Sequence, residues 1–174
     1  MMLQVRDYSA TETLRDGRKV EIRAIKPDDR ASLLAAVDRT SQQSLYRRFF
    51  GFKRGFTERE IDFYVNVDFV SQVALVAVVA EDGWPTIVGG ARYIVVRPGE
   101  AEVAFAVDDR SQAKGIGAAL MRHLAVLARQ AGLEALVAEV LPENAAMLKV
   151  FETSGLKFST KREPGTIHVK LQLA

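Results

Sequence analysis

Cysteine is absent from this 174-residue chain, which excludes a disulfide framework and any thiol nucleophile. Histidine is scarce as well. His123 and His168 are the only two and lie far apart in the sequence, so no metal site is expected. No apolar stretch reaches the roughly 18 residues that a membrane-spanning helix needs, and no membrane association is expected. An excess of one charge is also missing. The chain has 24 Lys+Arg against 22 Asp+Glu, a net charge of +2, and no basic block interleaved with aromatics, so nucleic acid is not an expected partner. The start, Met1-Met-Leu-Gln-Val-Arg-Asp7, lacks the apolar centre of a secretory signal. With the missing cysteine, this gives the expectation of a cytoplasmic protein. What remains is ordinary for a globular chain, 48% hydrophobic and 26% charged. One domain is expected over residues 1–174, with residues 1–12 a loosely structured lead-in.

Hydrophobic periodicity divides the chain. Asp16-Gly17 lies between two extended runs, a signal for a type I′ hairpin. Pro27-Asp28-Asp29 is placed to open a helix carrying Leu33, Leu34 and Val37. A second helical patch is expected over residues 42–50. A capping box at Thr57-Glu-Arg-Glu60 starts another helix, which reaches Val67. The period then changes. Residues 73–80, 86–96 and 101–107 read as three strands with short connections, an antiparallel meander. A helix bearing Ile116, Leu120, Leu124 and Leu127 follows, then a strand over 135–140. The next helix opens near Asn144 and ends at Gly155, and two strands over 157–162 and 166–173 close the chain. In the last strand Ile167, Val169, Leu171 and Leu173 alternate with Thr166, His168, Lys170 and Gln172, so one face is buried and the other is wet or substrate-facing.

The most informative stretch is Gln112-Ala-Lys-Gly115-Ile-Gly117, between a strand and a helix. A helix N-terminus offers unpaired N–H groups and partial positive charge, and glycine lets the main chain approach phosphate oxygens closely. A diphosphate-bearing ligand is the natural guest. The dinucleotide pattern G-x-G-x-x-G fails at Leu120, and the P-loop pattern fails because Lys114 precedes its glycine and Ala118 follows the next.

The order strand, glycine loop, helix, strand, then Asn144-Ala-Ala-Met-Leu-Lys-Val-Phe-Glu-Thr-Ser-Gly-Leu156, resembles the GCN5-related N-acetyltransferase (GNAT) superfamily. The resemblance runs from about Val20 to the C-terminus. Leu14-Arg-Asp-Gly-Arg, Ser44-Leu-Tyr-Arg-Arg-Phe-Phe50 and Ala101-Glu-Val-Ala-Phe-Ala-Val107 look like the catalytic domain of bacterial Pat-type protein lysine acetyltransferases. The fold implied is α/β (α+β), a mixed and mostly antiparallel sheet of about six to seven strands flanked by helices. The implied activity is acetyl-CoA-dependent N-acetyl transfer to an amine, with acetyl-CoA as acyl donor and a protein lysine, such as one on an acyl-CoA synthetase, as acceptor. Two alternatives stay open: transfer to a small amine, and a non-catalytic acyl-CoA-sensing module. The resemblance implies that main-chain groups of Phe105, Ala106 and Val107 meet the pantetheine arm. It also implies that Gln112, Ala113, Lys114, Gly115, Ile116, Gly117 and Ala118 cradle the diphosphate, and that Asn144 contacts the cofactor arm. Asn144 is equally a helix N-cap.

Glu102 is the only carboxylate inside the strand before the loop. Alternation puts it on one face with Ala104 and Ala106, opposite Val103, Phe105 and Val107. Two small neighbours leave room for a substrate chain, and the resemblance implies that Glu102 is the general base. The bland reading is a solvated glutamate paired with Arg92 or another residue of the adjacent strand. Phe151 stands where many superfamily members have a tyrosine proposed to protonate the leaving thiolate. Phenylalanine cannot donate a proton, so the departure bears on a general-acid step and not on transfer itself. His123 is expected to be a partly buried structural residue, and His168 and Lys170 to be solvated. Tyr46, Arg47, Arg48 and Phe49 are expected mainly as core aromatics with arginines outside.

Overall fold

The computed structural model describes residues 5–38, 59, 62, 65–107 and 115–173. The strands are β1 (Ser9–Thr13), β2 (Lys19–Ala24), β3 (Gln72–Glu81), β4 (Trp84–Arg97), β5 (Glu100–Val107), β6 (Ala135–Val140), β7 (Lys157–Glu163) and β8 (Thr166–Gln172). The α-helices whose full range is described are α1 (Arg30–Asp38), α2 (Ile116–Gln130) and α3 (Ala145–Glu152). All the strands join one 8-stranded sheet in the order β1-β2-β3-β4-β5-β6-β8-β7. That is one to two strands more than the sequence suggests. The first strand of the expected hairpin lies earlier than its sequence suggests: the lead-in expected to be loose forms a 3-10 turn at Val5–Asp7 and then, as β1, pairs with β2 from Ser9↔Arg23 to Thr13↔Lys19. The other regular elements described fall close to the segments that periodicity marks out.

The Asp16-Gly17 turn differs from expectation. In the β1–β2 hairpin Leu14 N–H bonds to Arg18 O at 2.7 Å and Gly17 N–H to Leu14 O at 2.9 Å. The chain therefore makes a longer loop with only Gly17 at positive φ. The two-residue primed turn occurs instead at Asp82 (φ 51°) and Gly83 (φ 82°), between paired Glu81 and Trp84. The helix expected after Pro27 forms: a 3-10 turn at Pro27–Asp29 leads into α1. Asp29 secures this corner, accepting Lys26 N–H at 2.7 Å and both arms of Arg23 at 2.8 and 2.9 Å. Burial pushes the Asp29 carboxyl up, but the Arg23 fork and the Lys26 N–H outweigh it and hold the group below its ordinary range. The helical patch over 42–50, with Tyr46 to Phe49, and the capping residues Thr57 and Glu60 lie outside the described residues.

The sheet has a core on each face. Val73, Leu75, Tyr93, Val103, Phe105 and Leu136 join Leu120, Leu124 and Leu127 of α2 and Phe151 of α3. On the other face Ala74, Val76, Val78 and Ile87 pack with Ile25, Val65 and Val67, and Leu33 of α1 lies against them. Among the described residues that second cluster lies at the β2–β4 end, while on β8 the same face carries the polar side chains of His168, Lys170 and Gln172. Among the described residues no helix is long and apolar enough to cross a membrane.

Candidate active site

The decisive feature is where one ladder stops. β5 pairs with β4 from Gly89↔Val107 to Arg97↔Glu100. Its parallel ladder with β6 covers only Glu100↔Ala135, Ala101↔Leu136 and Glu102↔Val137. Past Glu102 the strands part, and from Val103 to Ala106 the free edge of β5 has no ladder partner among the described residues. Buried main-chain groups need partners, so a wedge of this kind suits an extended polar ligand that adds its own hydrogen bonds.

At the open end of the wedge, Gly115 precedes α2 with φ 90° and ψ 3°. Ile116 begins the helix fully buried, and Ala118 lies half-buried in its first turn. Gly117 has a packing reason that the sequence did not reveal: a Cβ there would come 3.3 Å from Val150 of α3. Gln112, Ala113 and Lys114 lie outside the described residues. Sequence reading also missed Gly89. A Cβ on it would lie 3.0 Å from Ala106 O and 3.4 Å from Ile116, so this glycine lets β4, the end of β5 and the start of α2 close together. The available signal was the Gly89-Gly90 pair inside a strand, a mark of close backbone approach. The β3–β4 register shifts beside it, between Ala77 and Val78.

Asn144 caps α3, its Oδ1 accepting Met147 N–H at 3.1 Å, and only 8% of it is exposed. Phe151 is 1% exposed, and its ring meets Phe105 edge-on at 6.0 Å between centroids. At this position the chain uses an aromatic ring for packing.

Glu102 sits at the closed end of the wedge. It is exposed, as alternation predicts, while Ala101, Val103 and Phe105 are buried on the α2 side. Its cross-strand neighbours are Ile94 on β4 and Val137 on β6, both apolar. The alternative pairing with Arg92 is not made: Arg92 stands opposite Ala104, diagonal to Glu102 on the same face, and is itself buried. Among the described residues no ion pair involves Glu102. Its neighbour Glu100 differs, with Arg97 at 3.3 Å and Lys170 at 3.8 Å.

Residues 42–156 match the model of the acetyltransferase (GNAT) family. The acetyltransferase PA5475 of Pseudomonas aeruginosa is 32% identical over 154 residues, covering 88% of this chain and 82% of that protein. This chain belongs to the GNAT family. The acetyltransferase Pat of Mycolicibacterium smegmatis is 33% identical over 146 residues, 82% of this chain but only 42% of Pat's own length. The crystal structure of the GNAT domain of S. lividans PAT superposes with a TM-score of 0.85 at 33% identity, covering 94% of this chain and 96% of that one. The protein is therefore an acetyl-CoA-dependent acetyltransferase. The wedge beside β5 and the positive-φ glycine ahead of α2 are features into which an extended acyl-CoA arm and its diphosphate fit.

Of the two histidines of this acetyltransferase, one is as expected and the other does more. His123 of α2 is the partly buried structural residue anticipated, and its partners explain why: Nδ1 lies 2.5 Å from the Tyr8 hydroxyl, while Nε2 meets Glu12 of β1. Burial pushes the Glu12 carboxyl up, but His123 and Arg122 outweigh it and hold it below its usual range. This bridge ties Tyr8 and β1 to α2. His168 is not merely solvated. It is bracketed by Glu139 and Glu163, each at 3.2 Å, across three adjacent strands.

Proposed function

We propose that this enzyme moves an acetyl group from acetyl-CoA to an amine, most favourably the side-chain amine of a protein lysine such as one on an acyl-CoA synthetase, with Glu102 as general base. The observation that carries this reading is the position of Glu102. It is an exposed carboxylate without an ion-pair partner among the described residues, located where the β5–β6 ladder ends. A ligand lying along the β5 edge would bring its reactive end to that point.

A lysine amine with a pKa near 10.4 is almost wholly protonated at neutral pH, a penalty of roughly 4–5 kcal/mol for the attacking form. Glu102 takes the proton, directly or through one water, as the nitrogen attacks the thioester carbonyl carbon. The C–N bond forms, the C–S bond breaks, and sulfur departs as a thiolate that water protonates. Ala104 and Ala106 beside Glu102, with Ile94 and Val137 flanking it, leave an apolar-walled slot suited to an aliphatic stem. Main-chain groups of Phe105, Ala106 and Val107 would hold the pantetheine arm, residues 112–118 the diphosphate, and Asn144 the arm beside α3. The lysine acceptor rests on the resemblance of residues 14–18, 44–50 and 101–107 to Pat-type enzymes.

Release of coenzyme A, followed with lysine peptides, an acyl-CoA synthetase and small amines, tests the reading. Glu102→Gln should lower kcat by about 10²–10⁴ with the KM for acetyl-CoA nearly unchanged. A variant that keeps most of its rate overturns the base assignment, and a higher rate on small amines than on any lysine protein overturns the acceptor.

A further inference from the structure

The register aligns one row of side chains across the sheet on the face that carries Glu102: Gln72 of β3, Ile94 of β4, Glu102 of β5, Val137 of β6 and Lys170 of β8. Directly paired residues share a face, so Gln72 and Glu102 point the same way on either side of Ile94. Strand spacing puts their Cα atoms about 10 Å apart, a gap that two side chains of this length can close over a single nitrogen.

Gln72 has an unusual feature. Its Oε1 is buried, and no donor among the described residues reaches it. A sheltered carbonyl oxygen without a donor is destabilising in the resting protein, and such groups call for an explanation. The residue is also rigidly placed. Asp68 Oδ1 accepts the N–H groups of Val70, Ser71 and Gln72, each at 2.9 Å, and its Oδ2 takes the Ser71 hydroxyl at 2.5 Å. Val95 N–H then bonds to Ser71 O at 2.8 Å, tying the turn to β4. The clamp fixes the main chain from which the orphaned amide extends.

We propose that Gln72 binds the acceptor amine: its Oε1 accepts one N–H of the attacking nitrogen while Glu102 takes the proton from another. An amine has hydrogens enough for both, and the two oxygens approach it from opposite sides over Ile94. The carbonyl oxygen thereby aims the nitrogen lone pair and favours a primary amine, since each added alkyl group removes a hydrogen it could accept. This inference rests on the acetyl-transfer reading above and assigns a second residue to the same site.

The test is Gln72→Met, which keeps length and shape but removes the oxygen, assayed with whichever acceptor in the coenzyme A release screen gives the highest wild-type rate. Expected are a melting temperature equal to or above wild type, an unchanged KM for acetyl-CoA, and a fall in kcat/KM for the acceptor of about 5- to 50-fold. Gln72→Glu, which retains an acceptor oxygen, should recover part of that loss. A Gln72→Met enzyme within twofold of wild type for the acceptor overturns the inference. So does one that melts well below wild type, since the oxygen must then be satisfied in the resting protein. A wild-type protein that acetylates no amine overturns the transferase reading itself.

Discussion

Gly115 enters α2 at φ 90° and ψ 3°, and a Cβ built on it meets nothing within 4 Å. The cost of replacing it is therefore one of backbone conformation and not of space. For an L-residue the left-handed region costs roughly 1–2 kcal/mol, least for asparagine, whose short polar side chain bonds locally. The expected order of tolerance thus runs against size: glycine best, then asparagine, then the smaller alanine. If Gly115→Ala keeps the native turn, the strain lowers the melting temperature by about 2–8 °C for a chain of this length. If the turn relaxes, the stability change is small, and on the proposal that this loop holds the diphosphate, acetyl-CoA must restore the turn as it binds, so its affinity falls by about 5- to 30-fold. Thermal unfolding with and without acetyl-CoA, and calorimetric titration of acetyl-CoA, separate the two outcomes. Gly115→Asn should lie between wild type and alanine in both assays. An alanine variant that matches wild type in stability and affinity, or that outperforms asparagine, refutes the claim that positive φ is what this position requires.

Gly117 should behave differently, because its constraint is a contact. Gly117→Ala gains helix propensity of about 0.5–1 kcal/mol but presses on Val150, so adding Val150→Ala should restore any lost stability; a loss that the second change leaves untouched, measured by denaturant unfolding, would point away from helix packing. Asp29→Asn should destabilise the corner between β2 and α1 by roughly 1.5–3 kcal/mol near neutral pH. The sign of its pH dependence follows from a carboxyl held below its ordinary 3.8: the stabilisation is present above that value and is lost as pH falls through the lowered one. Stability curves of wild type and variant should converge on the acid side, and a gap that stays constant with pH would remove the Arg23–Asp29 pair as its source.

Much of the fold could be read from local pattern. The meander from β3 to β5, the glycine-led helix, the Asn144 cap and the alternating last strand each follow from periods of 2.0 or 3.6 residues and from capping chemistry, which neighbouring residues alone dictate. The place of strand β1 within the lead-in escaped because Ser9–Thr13 is short and carries little apolar signal; it is held by β2 and by the Tyr8–His123–Glu12 bridge, whose members come from distant parts of the chain. Asp16-Gly17 and Asp82-Gly83 are the same dipeptide, yet only the second makes a two-residue primed turn, while the first sits in a longer loop closed between Leu14 and Arg18, so the dipeptide alone does not fix the loop length.

From β3 onward the amino-acid order determined on its own which of the described segments are strand or helix, which strand carries Glu102, and which face of that strand it occupies, since alternation is a property of the backbone. Only the tertiary structure decided that the β5–β6 ladder ends at Glu102, that Ile94 and not Arg92 stands opposite it, that Gly117 is needed by Val150, and that Gln72 shares its row. Those are relations between residues far apart in sequence, and no local period encodes the register that brings them together.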